Sequence, residues 1–562
     1  MDPIAIAASL REISIYLRLD GDPHRARAYE RAARTVEAIH DLDRRVADGD
    51  LTDLPGIGSS IAAVITELHG RGAVGVLDRL RAKWPAAVVE LSQLPSVGVK
   101  KARALVERLG PANLDELARM AEAGRVRELP GFGKASEEKL LTALRGRHQR
   151  RDRMALADAR PHGERLAAYL AGDPAAEAVH VCGDVRRWLE VVERLAIVVA
   201  TRTPAAIRER LRRHPLVVEL TDRDEGGVLA HLADGVPCEL HLAAPERLGA
   251  AQLIATGAPG HVAGLRARAA EAGRDLAAIP GDEAAVYAAL GLPWLPPEIR
   301  DGDDELTRAA AGERFDDLIT VADVRGAVHC HTTHSDGRHS IEQMARAAAD
   351  RGLAYLTITD HSASAHYAGG LDPDGLRAQW AEIAEVQGRV PVRLLRGTES
   401  DILADGSLDY TAAVLGELDV VIASVHNRHK LDEDAMTRRL VAAMRQPVFK
   451  IWGHALGRMV LRRDPIACRF DEVLDAVVDG PAAIELNGDP HRLDLDPVRA
   501  RAAHARGVKF VVATDAHSTR ELDNLEWAVA MARRARLRPA DVLNTLPPDE
   551  FARVVRPARS RG

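Results

Sequence analysis

The chain is 562 residues long, room for about three to five domains at about 100–200 residues each. Hydrophobic residues make up 46% and charged residues 28%, which excludes a largely disordered or fibrous chain, and a net charge of −7 excludes a polybasic coat protein for nucleic acid. The four cysteines, Cys182, Cys238, Cys330 and Cys468, exclude a disulfide scaffold and suit a reducing cytoplasm. No apolar run approaches the ~20 residues that cross a bilayer, and the first residues lack the basic and apolar regions of a signal peptide.

Residues 1–82 read as helices, because apolar residues recur at helical spacing in IAASLREISIYLRL and RAYERAARTVEAI. A break then recurs along the chain: LPGIGSSIAAVI from Leu54, LPSVGVKKARAL from Leu94 and LPGFGKASEEKL from Leu129. Each gives an apolar residue, a proline, a small residue, a hydrophobe, a glycine and then a helix start. The glycines permit a tight hairpin whose backbone N–H groups face outward at a helix N-terminus, a ready anion site. The three copies resemble the helix-hairpin-helix element, which implies contacts to DNA phosphates from Gly56, Gly58, Gly98, Lys100, Lys101, Gly131, Gly133 and Lys134. The local charge agrees: residues 101–150 carry 11 Lys and Arg against 7 Asp and Glu.

Residues of about 160–300 alternate strand-like runs (AVHVCG, RLAIVVAT, LVVELT, CELHLA) with helices rich in Ala and Arg. The prolines of GLPWLPPEIR mark irregular chain, and DGDDELTRAAAGERFDD reads as a linker.

From Asp323 onward, strand and helix alternate. The candidate strands span 327–331, 354–361, 392–400, 419–426, 449–454, 482–488 and 509–517. Apolar strands spaced by helices indicate a parallel α/β barrel, here a distorted seven-stranded one. Twelve of the 22 histidines lie between His329 and His517. His329, His331, His361, Glu399, His426, His454, Asp515 and His517 fall at strand ends, and Asp336 in the loop after the first strand. In parallel barrels, chemistry collects at the C-terminal strand ends, so these nine should converge. Six imidazoles and three carboxylates exceed the set for one ion. Two or three divalent ions are expected, and mixed N/O ligation suits Zn, Mn or Fe. His334, His339, His366, His429 and His491 fit no strand end and read as surface or supporting residues.

VHCHTTHSDG, ITDHS, GTESDILADGSLDY, ASVH, WGHALGR, IELNGDPHRLDL and TDAHS resemble the PHP (polymerase and histidinol phosphatase) family over about residues 323–555. The resemblance implies that the nine residues are metal ligands, with His329, His331, Glu399 and Asp515 on one ion. Glu399 would bridge to a second ion held by His426 and His454, and Asp336, His361 and His517 would hold a third. It also makes His329, His331, Glu399, Asp515 and Arg458 the expected catalytic group, with Arg458 on a substrate phosphate.

The whole chain resembles the bacterial family X DNA polymerases fused to a PHP domain. The resemblance implies a helical lyase-like domain over 1–82, a helix-hairpin-helix region over 83–150 and a polymerase palm over 151–245. A thumb-like region over 246–310 and the PHP phosphoesterase domain over 323–562 would follow. The palm motif departs from the family at its catalytic positions. Arg187 and Glu190 remain, but Arg194 and Ala196 stand where the family has its two metal-binding aspartates. Glu239 stands at the third carboxylate, and Asp184 replaces a serine that touches phosphate. Arginine and alanine do not bind Mg²⁺, so polymerase activity is expected to be absent. The position that resembles the family's Schiff-base lysine is Val64, and no lysine precedes Lys83, so lyase activity by that route is not expected.

The sequence therefore reads as a metal-dependent DNA phosphoesterase of the cytoplasm, a 3′→5′ exonuclease or a 3′-end or abasic-site processing nuclease in repair. Its degenerate polymerase half would serve as a DNA platform, contacting the phosphate backbone without sequence preference. A phosphatase on a small phosphate ester and a non-enzymatic DNA-binding scaffold are the alternatives.

Overall fold

The computed structural model describes residues 3–557 except 38–41, 55, 72–73, 85–87, 89–90, 92–96, 112–113, 152, 224–226 and 233–235. It divides into two compact units, Met1–Arg151 and Asp152–Gly562.

The first unit is helical among its described residues: Pro3–Leu19, Pro23–Glu37, Leu42–Asp48, Ser59–Arg71, Gly75–Lys83, Val99–Leu109, Leu114–Glu122 and Lys134–Arg151. Ile6, Leu10, Ile13 and Leu17 follow the 3.6-residue period along the first helix. They pack with Tyr29, Ala33 and Val36 of the second and Ile61, Ile65 and Leu68 of the fourth. Gly56 (φ 81°) and Gly131 (φ 88°) turn the first and third hairpins through the left-handed region, where a side chain would cost about 1–2 kcal/mol. In the third hairpin the buried Glu137 carboxylate accepts from Arg127 N (2.8 Å) and Arg127 Nε (2.6 Å), fixing the turn ahead of the Lys134–Arg151 helix. Gly98 is the N-cap of Val99–Leu109. Leu94, Pro95 and Ser96 of the second hairpin lie outside the described residues. Lys100, Lys101, Gly58, Gly131, Gly133 and Lys134 are exposed.

The second unit holds two main sheets. The smaller comprises β1 (Ala178–Cys182), β2 (Leu195–Ala200), β3 (Val217–Asp222), β4 (Val228–Leu232) and β5 (Cys238–Ala243), in the order β1-β2-β5-β4-β3. β4 has no counterpart among the strands expected from sequence. β2 runs antiparallel to β1 and parallel to the central β5, and all six of its residues are buried. One face is closed by Leu248–Thr256, whose Leu248, Ala251 and Ala255 pack on Cys182, Ala196 and Val198.

The larger sheet has seven parallel strands in chain order: β6 (Gly326–Ala327), β7 (Tyr355–Ile358), β8 (Arg393–Asp401), β9 (Val420–Ser424), β10 (Lys450–Trp452), β11 (Ala482–Asn487) and β12 (Phe510–Ala513). Beyond their regular ladders the first and last strands join. Thr514 N donates to Val328 O (3.1 Å), Ala516 N to His329 O (3.1 Å) and His331 N to Ala516 O (2.8 Å), curling the sheet toward a barrel. Val420, Ile422, Ile451, Ala483 and Val511 cluster with Phe551 of the helix Pro548–Val555, away from the polar strand ends.

Within this unit, the segments around the two sheets are tied by charge and aromatic packing. Glu190 pairs with Arg458 (3.1 Å) and Arg534 (2.5 Å). Trp188 meets Trp527 edge to face at 5.2 Å. Arg160 lies 4.3 Å over the Trp188 ring and pairs with Glu526 at 2.9 Å. No helix among the described residues is long and apolar enough to cross a membrane.

Candidate metal centre

The nine expected ligands meet at the C-terminal ends of six of the seven strands, or in the loops that follow them. Three of them, His329 (φ 64°), Asp515 (φ 49°) and His454 (φ 24°), have left-handed backbone, which costs a side-chain-bearing residue about 1–3 kcal/mol unless its surroundings fix it. They do so here: His329 N donates to Thr357 Oγ1 (3.1 Å), and His454 N to the Glu485 carboxylate. The left-handed turn at His329 also explains why the first strand is far shorter than the 327–331 expected.

Glu399 is central and 1% exposed. Its Oε1 lies 2.8 Å from His454 Nε2, 3.2 Å from His426 Nε2 and 3.3 Å from His329 Nε2. Its Oε2 lies 2.9 Å from His361 Nδ1 and 3.6 Å from His331 Nε2. Asp515 Oδ1 is 3.5 Å from His331 Nε2 and 3.6 Å from His329 Nε2. Asp336 Oδ1 faces His517 Nε2 (3.4 Å), His361 Nε2 (3.7 Å) and His331 Nδ1 (3.8 Å). The donor atoms fall into four overlapping groups: His331 with Asp336, His361 and His517; His329 with His331 and Asp515; His329 with Glu399 and His454; and His361 with Glu399 and His426. His329, His331, His361 and Glu399 thus each belong to two groups; the sharing of Glu399 matches the grouping implied by resemblance, and that of the three histidines is additional to it.

A second row of carboxylates orients the first. His329 Nδ1 lies 2.6 Å from Glu485 Oε1 and His426 Nδ1 2.5 Å from Asp401 Oδ1, so each ring gives its N–H outward and turns Nε2 toward Glu399. Asp360 accepts from Thr332 N (2.7 Å), Thr332 Oγ1 (2.7 Å), Ser335 Oγ (2.5 Å) and Gln379 Nε2 (2.6 Å), holding the loop that carries Asp336. Sequence reading passed over Glu485 and Asp401. The one signal was an acidic residue in the otherwise apolar run AAIELNG.

The buried donor atoms His329 Nε2, His331 Nδ1, His331 Nε2 and Glu399 Oε1 have no hydrogen-bond partner. Buried polar atoms left so are costly, and nitrogen and carboxylate oxygen directed at one another are the donor set of divalent zinc, manganese or iron. The electrostatics demand positive charge. Burial opposes charging of His329, yet Glu485, Glu399 and Asp515 hold it well above the usual imidazole range. Burial likewise opposes the charging of His426 and His517, but neighbouring carboxylates bring them up to about 10 and about 9. His331 is pushed down to about 4, first by burial and then by His517. The residues therefore fit divalent metal ions.

Arg458 does not turn to this cluster. Its Nε donates to Arg492 O (3.0 Å), its Nη2 to Leu493 O, and its charge is met by Glu190. Those contacts, and not a phosphate, are what its guanidinium meets in this structure. Arg492 lies nearer, with Nε 3.4 Å from Asp515 Oδ2 and 3.6 Å from Asp489 Oδ2. Of the remaining histidines, His334 pairs with Glu382 (2.7 Å), His339 accepts from Thr519 N (3.3 Å), His366 is exposed and His429 Nε2 is buried without a hydrogen-bond partner. His491 N donates to Asp489 Oδ1 (2.9 Å).

In the smaller sheet every acidic side chain of the palm-like motif is tied to arginine. Asp184 meets Arg187 (2.7 Å), Glu190 meets Arg458 and Arg534, and Glu239 meets Arg194 (2.5 Å) and Arg223 (3.5 Å). Ala196 is buried beneath the Leu248–Thr256 helix. Among the described residues, the groups able to hold an ion all lie in the barrel.

Comparison with known proteins bears on each region. Residues 2–74 match the "Helix-hairpin-helix domain", 88–146 the "SAM-like Helix-hairpin-helix tandem" and 327–488 the "PHP domain". A protein of Bacillus subtilis named "DNA polymerase/3'-5' exonuclease PolX" is 32% identical over 556 residues, covering 95% of this chain and 96% of that protein. A "Probable phosphatase" of Thermoanaerobacter sp. is 29% identical over 228 residues, 39% of this chain and 89% of that protein. A "Holliday junction branch migration complex subunit RuvA" of Azoarcus sp. is 33% identical over 145 residues, 23% of this chain and 70% of that protein. With near full-length similarity to PolX, and with helix-hairpin-helix domains followed by a PHP domain, the chain belongs to the bacterial family X DNA polymerases that carry a PHP domain.

Proposed function

We propose that the protein is a metal-dependent DNA phosphoesterase of the cytoplasm, a 3′→5′ exonuclease or a 3′-end or abasic-site processing nuclease in repair. In this reading the barrel does the chemistry and the polymerase half is a platform without polymerase activity. The observation that carries it is the contrast between the two halves: nine converging ligands in the barrel, and palm carboxylates each neutralised by an arginine.

His329, His331, Asp336, His361, Glu399, His426, His454, Asp515 and His517 would hold the ions. Divalent ions there would supply Lewis-acid stabilisation of a phosphoryl group and activate water at neutral pH. The chain's own share is orientation. Glu485 and Asp401 hold His329 and His426 with Nε2 inward. Asn487 Nδ2 donates to Asp515 Oδ2 (3.1 Å), and Arg492 places positive charge beside the same carboxylate. The exposed helix starts at Gly58, Gly98 and Gly133 offer backbone N–H groups to phosphates, with Lys100, Lys101 and Lys134 adding charge.

At the palm, Arg194 sits 2.5 Å from Glu239 and supplies the positive charge that a Mg²⁺ ion would bring. The deoxyribose phosphate lyase route is absent on the same reading, since Val64 offers no amine.

The deciding experiment supplies Mn²⁺, a 3′-labelled primer–template and deoxynucleoside triphosphates. Digestion that disappears in a His329→Ala/His331→Ala variant, with no extension, is expected. Extension refutes the inactive palm. Phosphate release from small esters without DNA cleavage refutes the nuclease in favour of a small-ester phosphatase, the reading suggested by the phosphatase relatives of the barrel.

A further inference from the structure

Tyrosine is scarce and otherwise hidden in this chain. Of seven tyrosines, Tyr16, Tyr29, Tyr287, Tyr355 and Tyr410 are buried and Tyr169 is half-buried. Tyr367 alone is exposed, at 71%. Single exposed apolar residues are common and need no explanation. The place of this one is what matters: its ring centroid lies 6.1 Å from that of His361 and 6.3 Å from that of His426. It stands at the rim of the metal centre.

The loop that presents it is braced. Leu371 N donates to His361 O (2.8 Å), and Tyr410 hydroxyl donates to Leu371 O (2.5 Å). Ser364 N donates to Asp409 Oδ2 (2.7 Å) and Ser364 Oγ to Asp401 Oδ2 (2.9 Å). Ala365 and Ala368 are buried beneath the turn His366–Ala368, which Gly369 closes at φ 70°. The ring is therefore carried on a fixed support, and its exposure is not the looseness of a tail.

We propose that Tyr367 is a stacking platform for the nucleobase of the nucleotide whose phosphate enters the metal centre, so that the barrel prefers base-bearing nucleotide ends over base-free phosphate esters. This rests on the reading of the barrel as a DNA phosphoesterase. An aromatic face accepts any base, so the platform adds affinity without sequence preference, as the phosphate-gripping hairpins do. Tyr367 is a positioning residue, since it reaches the reaction only through the base.

The test titrates deoxythymidine 5′-monophosphate and, separately, deoxyribose 5-phosphate into the metal-loaded full chain by calorimetry. Wild type, Tyr367→Ala and Tyr367→Phe are compared. Tyr367→Ala is expected to weaken the nucleotide by about 5–100-fold, the range of one base–aromatic stack, and to leave the sugar phosphate within about twofold. Tyr367→Phe is expected to match wild type. In turnover on oligonucleotides, Tyr367→Ala is expected to raise KM for a 3′-terminal thymidine with kcat little changed, and to leave an abasic 3′ end unaffected. Equal weakening of both ligands, or none of the nucleotide, overturns the proposal. Wild type that digests DNA while Tyr367→Ala behaves identically sinks the platform and keeps the nuclease. Wild type that leaves DNA intact, with nucleotide preference still lost in Tyr367→Ala, sinks the nuclease and keeps the platform.

Discussion

Glu190 is a residue of the polymerase motif that this chain retains, and its surroundings give it a different task. Its side chain is 17% exposed and lies between Arg458 (14%) and Arg534 (8%), at 3.1 and 2.5 Å. Burial alone would raise its carboxyl, but Arg534 and Arg458 hold it below the usual range. Glu190→Gln keeps the shape and removes the charge, leaving two guanidiniums without their counter-ion. Breaking a buried pair costs about 3–5 kcal/mol. The lower end applies here, because Arg458 keeps its bond to Arg492 O and Arg534 keeps Asp301 at 3.8 Å. At about 2 cal/mol/K per residue, a unit spanning Asp152–Gly562 should then melt about 3–4 °C lower. Scanning calorimetry at fixed scan rate measures this, and Glu190→Gln/Arg534→Gln should recover at least about 1 kcal/mol relative to additivity. Hydrolysis by the barrel below the transition should be unchanged. A shift under about 1 °C refutes the strut. So does loss of hydrolysis in a variant that is still folded.

Three further outcomes follow from geometry. Glu485→Gln leaves one acceptor oxygen where His329 Nδ1 and His454 N each have their own, and removes the charge, so it should weaken metal binding by about 10–100-fold in chelator competition; unchanged affinity refutes the orienting role. Glu283, 5% exposed, is bound by Arg300 and Arg186, which overcome burial and bring its carboxyl from 4.5 to about 2. It is therefore ionised in the folded state at pH values where the unfolded chain already binds a proton. Its stabilisation, about 3 kcal/mol, is complete above about pH 4.5 and is lost as pH falls toward 2, so Glu283→Gln should flatten stability over that window in acid titration. Lys100→Glu/Lys101→Glu/Lys134→Glu should lower DNA affinity uniformly across sequences and reduce the salt slope by about 3; an unchanged slope removes these lysines from the interface.

Much of the barrel was legible because its strands are apolar on both faces and its histidines fall at their ends. What the residues cannot display is backbone handedness. Nothing in VHCH announces that His329 lies at φ 64°, so the first strand was read too long. Strand β4 is five residues preceded by a Gly-Gly pair, too short for its alternation to stand out. Arg458 was read by position within a motif, whereas its direction is set by Glu190, 268 residues earlier. Such long-range pairing leaves no local mark. Tyr367 was invisible for the opposite reason: a lone tyrosine is ordinary, and only the two imidazoles beside it make it notable.

The closure of the barrel between Val328–His331 and Thr514–Ala516 has a consequence for how the protein is made. Ligands at the two ends of the domain are 186 residues apart, as in the approach of His329 to Asp515. Chain emerges from the ribosome in order, and domains made first tend to fold first. The helical unit with its hairpins can be complete while Asp515 and His517 are still unsynthesised. The metal centre therefore cannot be complete until Asp515 and His517 have been made, and a nascent chain can hold the helix-hairpin-helix elements well before it holds that centre.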